Sequence, residues 1–258
     1  MLRFVLLSFA SLTLMAFVPL PAPIKAWLLV GVVLAVSWFC LKLEGEPLVS
    51  IGLGFNVGFL SIFLLGTLFG VMLILASAVC VKCFAGFSLE RNPGIGLGGL
   101  FHALIPMLAV SMYEELIFRG YAFQRAVRGL GKTPALMLFA LLFAGAHWAN
   151  PGMSGSTKAW ASLNIGLASV FLGLAWICTK SLALPIGIHF GWNWAQGSLL
   201  GFGVSGATSQ GYWKPVLHDA PQWLTGGDFG LEAALPTSVV CLLACGGLWL
   251  FSKPSAPK

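Results

Sequence analysis

A run of 25 residues without a charged side chain, from residue 57 to residue 81, most strongly limits what this chain can fold into. A helix of about 20 consecutive apolar residues crosses a bilayer core, and soluble domains rarely contain such a run. Of the 258 residues, 58% are hydrophobic and 9% are charged. These features predict an all-α fold, a polytopic bundle of membrane helices.

Further apolar runs, separated by charged or Gly/Pro-rich connections, predict about eight transmembrane helices with a polar cavity within the bundle. The first run could instead be a cleaved signal peptide, although its Pro-rich end lacks a clear cleavage site. A turn is predicted at residues 88–94. The predicted spans are 4–20, 26–41, 57–81, 97–128, 134–148, 159–179, one beginning near residue 184, and 233–251.

The charge distribution argues against a nucleic-acid partner. The net charge is +6, but the Lys and Arg residues are scattered singly between apolar runs, as is usual beside membrane spans. Short loops and the lack of an organelle address fit an integral multi-pass protein of a bacterial inner membrane. Gly66-x-x-x-Gly70, in the third span, predicts a face on which two helix backbones approach closely.

The sequence Glu114-Glu115-x-x-x-Arg119 interrupts a stretch of about twenty uncharged residues. Charges at bilayer depth cost a few kcal/mol each and persist mainly in functional interiors. On a helix, Glu115 and Arg119 are four apart and form a natural ion pair, whereas Glu114 projects about 140° away from Arg119. We therefore interpret Glu115 and Arg119 as structural and Glu114 as the working group. The remaining acids lie near the ends of apolar runs or between them: Glu44, Glu46, Glu90, Asp219, Asp228 and Glu232.

Polar residues on two further spans complete a candidate site. Glu114 lies about 14 residues before the connection at 129–133 and His147 about 14 residues after it, so antiparallel neighbours would hold them at one depth. His189 and Asn193 share one face of another span. A single buried His is more often structural, but this combination predicts a functional cluster.

Amide hydrolysis is the chemistry that suits such a cluster. Glu114, with His147 assisting, would take a proton from water, and His189 and Asn193 would donate hydrogen bonds to the oxyanion. Zinc bound by Glu114, His147 and His189, with water as the fourth ligand, is the alternative. No HExxH motif supports it, and the residues leave the choice open.

The three motifs together resemble the CAAX prenyl protease type II family, also called CPBP or Abi intramembrane proteases. They are Glu114-Glu115-x-x-x-Arg119, Phe143-x-x-x-His147 and His189-x-x-x-Asn193, in that order and on predicted spans. The resemblance implies an intramembrane endopeptidase in which Glu114 and His147 activate water and His189 and Asn193 stabilise the oxyanion, with Glu115, Arg119 and Phe143 in support.

The resemblance divides the chain into three regions and suggests the class of substrate. Residues 1–95 hold three membrane helices, 96–200 a protease-like core of four spans, and 201–258 a Gly-rich loop and the last helix. Eukaryotic members cleave prenylated C-terminal peptides, and many bacterial relatives are linked to bacteriocin processing or immunity. The expected partners are a peptide or lipidated peptide and membrane lipid. The competing hypotheses are a non-catalytic scaffold or immunity protein, and a proton-coupled transporter, for which no inverted repeat is evident.

Overall fold

The computed structural model describes residues 2–16 and 18–252. Residue 17, in the first predicted span, and residues 253–258, at the end of the third region, lie outside the described residues. Two short strands, Phe87–Arg91 (β1) and Trp213–Leu217 (β2), form an antiparallel pair. The α-helices are Leu2–Ala16 (α1), Ala22–Leu43 (α2), Val57–Ala85 (α3), Leu97–His102 (α4), Leu104–Phe118 (α5), Tyr121–Leu130 (α6), Lys132–Ala146 (α7), Gly155–Thr179 (α8), Ala183–Asn193 (α9), Gln222–Thr225 (α10) and Leu235–Phe251 (α11).

Four helical segments of the described chain are long and apolar enough to cross a membrane: α2, α3, residues 97–130 and α8. Helices α7 and α11 are apolar but shorter. Helix α3 exposes large apolar side chains, including Leu64, Leu68 and Met72, and lipid is the solvent that suits such a face. The mostly helical, membrane-embedded character of the prediction is therefore confirmed. The number of eight spans stays a prediction.

The helix predicted over residues 97–128 lies within the helical segment 97–130, but the structure divides this segment into α4, α5 and α6. The chain turns at Arg119 and Gly120, between α5 and α6. A Cβ added at Gly120 would lie 2.2 Å from the Leu116 carbonyl oxygen, so the turn requires glycine. The Gln124 side chain stabilises it by donating to the carbonyls of Arg119, at 3.1 Å, and Ile51, at 2.9 Å.

The segment predicted as a turn at residues 88–94 contains most of β1, which pairs with β2 from Phe87↔Leu217 to Arg91↔Trp213. Just beyond β1, the Asn92 side chain donates a hydrogen bond to the Gly211 carbonyl at 3.1 Å. These bonds tie the Gly-rich region that follows α9 to the end of α3. The region is thereby held against the helices.

Helices α3 and α9 meet through glycines on both sides of their contact. A Cβ on Gly66 or Gly70 of α3 would lie 2.6 or 2.0 Å from backbone oxygens of α9. A Cβ on Gly187 or Gly191 of α9 would lie 2.3 or 2.1 Å from backbone oxygens of α3. The close backbone approach predicted from Gly66-x-x-x-Gly70 is confirmed, and its partner is the helix that carries His189 and Asn193.

A second group of charges ties the end of α2 to α6. Glu46 pairs with Arg125 and Arg128, each at 3.1 Å, and Glu44 accepts hydrogen bonds from Arg125 and Tyr121. Burial alone would raise the pKa of the Glu44 carboxyl, but these hydrogen bonds outweigh it and lower that pKa. The cluster is thus most stable with its carboxylates ionised.

Candidate active site

One cavity of about 480 Å³ is lined by Glu114, His147, His189 and Asn193 together. Glu114 comes from α5, His147 caps the C-terminal end of α7, and His189 and Asn193 come from α9. These are the four residues for which sequence analysis predicted chemistry. The connection after α7 and a segment from Val204 to Ser209 form another part of the cavity lining.

Glu114 and Glu115 point to different surroundings, because consecutive helical side chains are about 100° apart. Glu114 lines the cavity. It accepts a hydrogen bond from the Tyr113 hydroxyl at 3.2 Å, and its Oε2 lies 3.7 Å from His189 Nε2. Glu115 is completely buried. Glu114 is therefore the carboxylate of the pair that a molecule in the cavity can reach.

Glu115 connects Arg119 to His189. Its Oε1 accepts from Arg119 Nη1 at 3.0 Å and from His189 Nδ1 at 2.8 Å. Within the described part of the chain, Glu115 Oε2 and Arg119 Nη2 are buried without a hydrogen-bond partner. The predicted Glu115–Arg119 ion pair is confirmed, and the structure adds the hydrogen bond that orients the His189 ring.

The His147 ring is oriented by the carbonyl of Phe143, one turn earlier in α7. The distance from Nδ1 to that oxygen is 2.8 Å. A carbonyl oxygen only accepts, so Nδ1 carries the proton, and in the neutral ring Nε2 has the free lone pair. His147 is largely buried but lines the cavity. Its free nitrogen gives the site a base.

The Phe143 ring packs between three polar groups of the site. Its centroid lies 4.6 Å from the Arg119 guanidinium carbon, 4.7 Å from the His147 ring centroid and 6.3 Å from that of His189. An aromatic face attracts the guanidinium, and the buried ring limits how far the imidazoles can rotate. Phe143 thus orients the site both through its carbonyl and through its ring.

Asn193 is the last residue of α9, and the chain continues as a π-helical turn, Trp194–Leu199. Such turns often occur at functional sites. Gln196 in this turn accepts from Trp192 Nε1 at 3.0 Å and donates to the Gly203 carbonyl at 2.6 Å. The turn therefore joins the end of α9 to the segment that lines the cavity.

The candidate zinc ligands Glu114, His147 and His189 line one cavity. Across residues 2–16 and 18–252, no group of three or more His, Cys, Asp and Glu side chains is arranged to hold a metal ion. The Nδ1 atoms of His147 and His189 are engaged by Phe143 and Glu115, which leaves Nε2 of each ring as its free nitrogen. The zinc alternative stays a prediction that removal of the metal by a chelator tests.

A carboxylate that sequence analysis treated as an ordinary acid between apolar runs, Glu232, lies beside the site. It lines a small cavity of about 40 Å³ together with His147, His189 and Asn193. Burial raises the pKa of the Glu232 carboxyl, against the opposing effects of the Ser205 hydrogen bond and the nearby His147. The only feature of the sequence that could have drawn attention to Glu232 is that it is an isolated acid next to the last apolar run.

Comparison with known proteins agrees with the three motifs. The family model described as Type II CAAX prenyl endopeptidase Rce1-like matches residues 95–195, which contain all three. No curated protein and no solved structure matches the chain. The resemblance predicted from the motifs is confirmed: residues 95–195 are similar to the type II CAAX prenyl endopeptidase Rce1-like family.

Proposed function

We propose that this protein is an intramembrane endopeptidase that hydrolyses a peptide bond of a membrane-associated peptide. The observation that carries the proposal is the convergence of Glu114, His147, His189 and Asn193 on one cavity in a membrane-embedded helical protein. The family match supports protease activity in general.

Glu114 and His147 activate the attacking water. The Glu114 carboxylate is accessible from the cavity, and the free lone pair of His147 Nε2 provides a second acceptor. Glu114, with His147 assisting, removes the proton as the water oxygen attacks the peptide carbonyl, and the proton is then delivered to the leaving amine. General acid–base catalysis of this kind contributes about 10²–10⁴-fold.

His189 and Asn193 stabilise the oxyanion. The His189 ring lies between two carboxylates, with Nδ1 2.8 Å from Glu115 Oε1 and Nε2 3.7 Å from Glu114 Oε2. For Nε2 to donate as well as Nδ1, the ring carries a proton on both nitrogens. Nδ1 then stays bonded to Glu115 while Nε2 donates to the oxyanion beside the Asn193 amide. Each such donor is worth on the order of 3 kcal/mol.

The substrate we propose is a membrane-associated peptide, either prenylated or bacteriocin-like. The host membrane we propose is a bacterial inner membrane. Several cavity-lining residues are apolar, among them Met107, Val110, Ile117 and Phe118 of α5. Such a lining suits a substrate that reaches the site with an apolar part. The polar residues are then left to act on the peptide bond.

The test is cleavage of a quenched peptide library, with prenylated C-terminal peptides included, by protein purified in detergent. Wild type is compared with Glu114→Gln, which keeps the size of the side chain and removes its basicity. Glu90→Gln, at an exposed acid of β1, is the matched control. We expect Glu114→Gln to lose at least about 10²-fold in activity and Glu90→Gln to retain it.

A zinc chelator is added to parallel reactions, and thermal unfolding establishes that each variant is folded. Cleavage by a folded Glu114→Gln protein at the wild-type rate would refute the proposed role of Glu114. Loss of wild-type activity with the chelator, restored by zinc, would replace the mechanism above with a metal-dependent one.

A further inference from the structure

The segment from Gly203 to Ser209, which we call the cavity loop, separates two spaces. Val204, Ser205, Ala207, Thr208 and Ser209 line the cavity that holds Glu114. Gly203, Gly206, Thr208 and Ser209 line a second space of about 540 Å³, next to β2. The cavity loop is therefore a thin wall, and its position sets the shape of the candidate active site.

Glu232 makes several hydrogen bonds to the cavity loop, next to single bonds from the Asn150 side chain to the Ser205 carbonyl, at 2.8 Å, and from the Gln196 side chain to the Gly203 carbonyl, at 2.6 Å. Its Oε2 accepts from the Ser205 backbone N–H, and both of its oxygens lie 3.2 Å from the Ser205 hydroxyl. It also accepts from Gln196 Nε2 at 3.3 Å. Every one of the Glu232 bonds uses the carboxylate as an acceptor. Ser205 has φ 48°, a left-handed conformation that a non-glycine residue adopts at some energetic cost.

The backbone that carries Glu232 is held independently of its side chain. Asn164 of α8 donates to the carbonyls of Glu232, at 2.8 Å, and Ala234, at 2.9 Å. Asn164 is itself fixed by the Ser238 hydroxyl at 2.6 Å. The carboxylate thus projects from a rigid support on α8 and α11 to the cavity loop.

We propose that Glu232 is a positioning residue that holds the cavity loop in place as the polar wall of the active-site cavity, against which the peptide part of the substrate binds. The α5 residues of the same cavity are mainly apolar, whereas the cavity loop lines it with three residues that carry hydroxyl groups, Ser205, Thr208 and Ser209. Hydroxyl groups can form hydrogen bonds with the peptide main chain, and apolar side chains can pack against a lipid or an apolar residue.

The proposal deepens the endopeptidase function and rests on it for the kinetic readout, so the experiment has a second readout that needs no activity. Hydrogen–deuterium exchange is measured for the cavity loop in detergent for wild type, Glu232→Ala, Glu232→Gln and Asp228→Asn. Asp228 is an exposed acid of the same region and serves as the matched control. Glu232→Gln keeps one acceptor oxygen for the Ser205 N–H and the Gln196 amide.

We expect Glu232→Ala to speed exchange of the cavity loop by about tenfold or more, because a charge-assisted hydrogen bond is lost, and to leave α3 and α9 protected. Glu232→Gln should change the exchange rate of the cavity loop by less than about threefold, because its amide oxygen still accepts a hydrogen bond and the loss is no larger than that of one weak hydrogen bond. In activity, Glu232→Ala should raise KM more than it lowers kcat. Asp228→Asn and Glu114→Gln should exchange like wild type.

Wild-type exchange of the cavity loop in Glu232→Ala would overturn the proposal. So would faster exchange throughout the protein in that variant, since this would assign Glu232 a general structural role. An unchanged KM in an otherwise active Glu232→Ala enzyme would also contradict it. If wild type cleaves no peptide, the endopeptidase function is what fails, and the exchange data alone decide whether Glu232 holds the loop.

Discussion

Replacing Gly70 with alanine tests how the fold positions the candidate site from outside it. Gly70 lies on α3 and lines neither cavity at the site, yet it packs against the backbone of Ile188, the residue before His189. A methyl group at this position therefore acts on α9 as a whole. It changes no polar group of the site.

The magnitude follows from the packing. The new Cβ would lie 2.0 Å from the Ile188 carbonyl oxygen, and ordinary contact begins at 3.4 Å, so α3 and α9 must separate locally by about 1.4 Å. Overpacking of this kind typically costs about 1–3 kcal/mol of folding free energy. A displacement of about 1 Å of catalytic groups can reduce the rate by about 10²-fold. We expect both a lower thermal midpoint and a loss of activity of that order.

The assay combines thermal unfolding in detergent with cleavage of the best peptide found for wild type. Gly191→Ala, whose Cβ would lie 2.1 Å from the Thr67 carbonyl oxygen, should reproduce both effects from the other helix. Gly246→Ala is the control, because its Cβ meets nothing within 4 Å and alanine is the better helix former. Gly70→Ala with wild-type stability and activity would refute the argument that this contact sets the position of α9.

Two further predictions concern buried and interfacial charges. Glu115→Ala leaves the buried Arg119 guanidinium without its carboxylate, so we expect a loss of about 3–5 kcal/mol in the free energy of unfolding. Glu90→Ala should leave the free energy of unfolding unchanged. Equal stability of the two variants would contradict this role of the Glu115 carboxylate. The pKa of Glu44 is lowered from its ordinary value of 4.5, so its stabilising contribution is present above pH 4.5 and is lost as the pH falls through the lowered pKa. Glu44→Gln should therefore have a lower thermal midpoint than wild type at pH 7, and the difference should shrink in acid; a difference that does not depend on pH would argue against this carboxylate as its source.

Sequence analysis succeeded where the relevant contacts are local or repeat along one helix. The Glu115–Arg119 pair joins residues four apart, and Gly66 and Gly70 lie on one helix face, so helical geometry alone predicts both features. The order and spacing of the three motifs likewise predicted the match to the family model over residues 95–195. The roles of Glu114, His147, His189 and Asn193 stay predictions, and the Glu114→Gln variant tests the role of Glu114.

Sequence analysis failed where distant segments determine the local structure. The break at Gly120 is stabilised by the Gln124 side chain, which also reaches the Ile51 carbonyl, and no periodicity reveals that contact. Strand β1 exists because β2, more than a hundred residues later, supplies its hydrogen bonds. A short strand has no internal hydrogen bonds, so its partner decides whether it forms.

The order of residues along the chain is enough to predict a lipid surrounding and to identify the chemical groups available for a site. Long uncharged runs require helices in lipid, because backbone groups there must be bonded within the segment, and the few charges that remain mark the interior. Which of those groups share a cavity depends on the packing of the helices and loops. Glu232 and Ser205 reach the site through the cavity loop and the segment before α11. Such contacts depend on how the whole chain packs, and no spacing in the sequence encodes them.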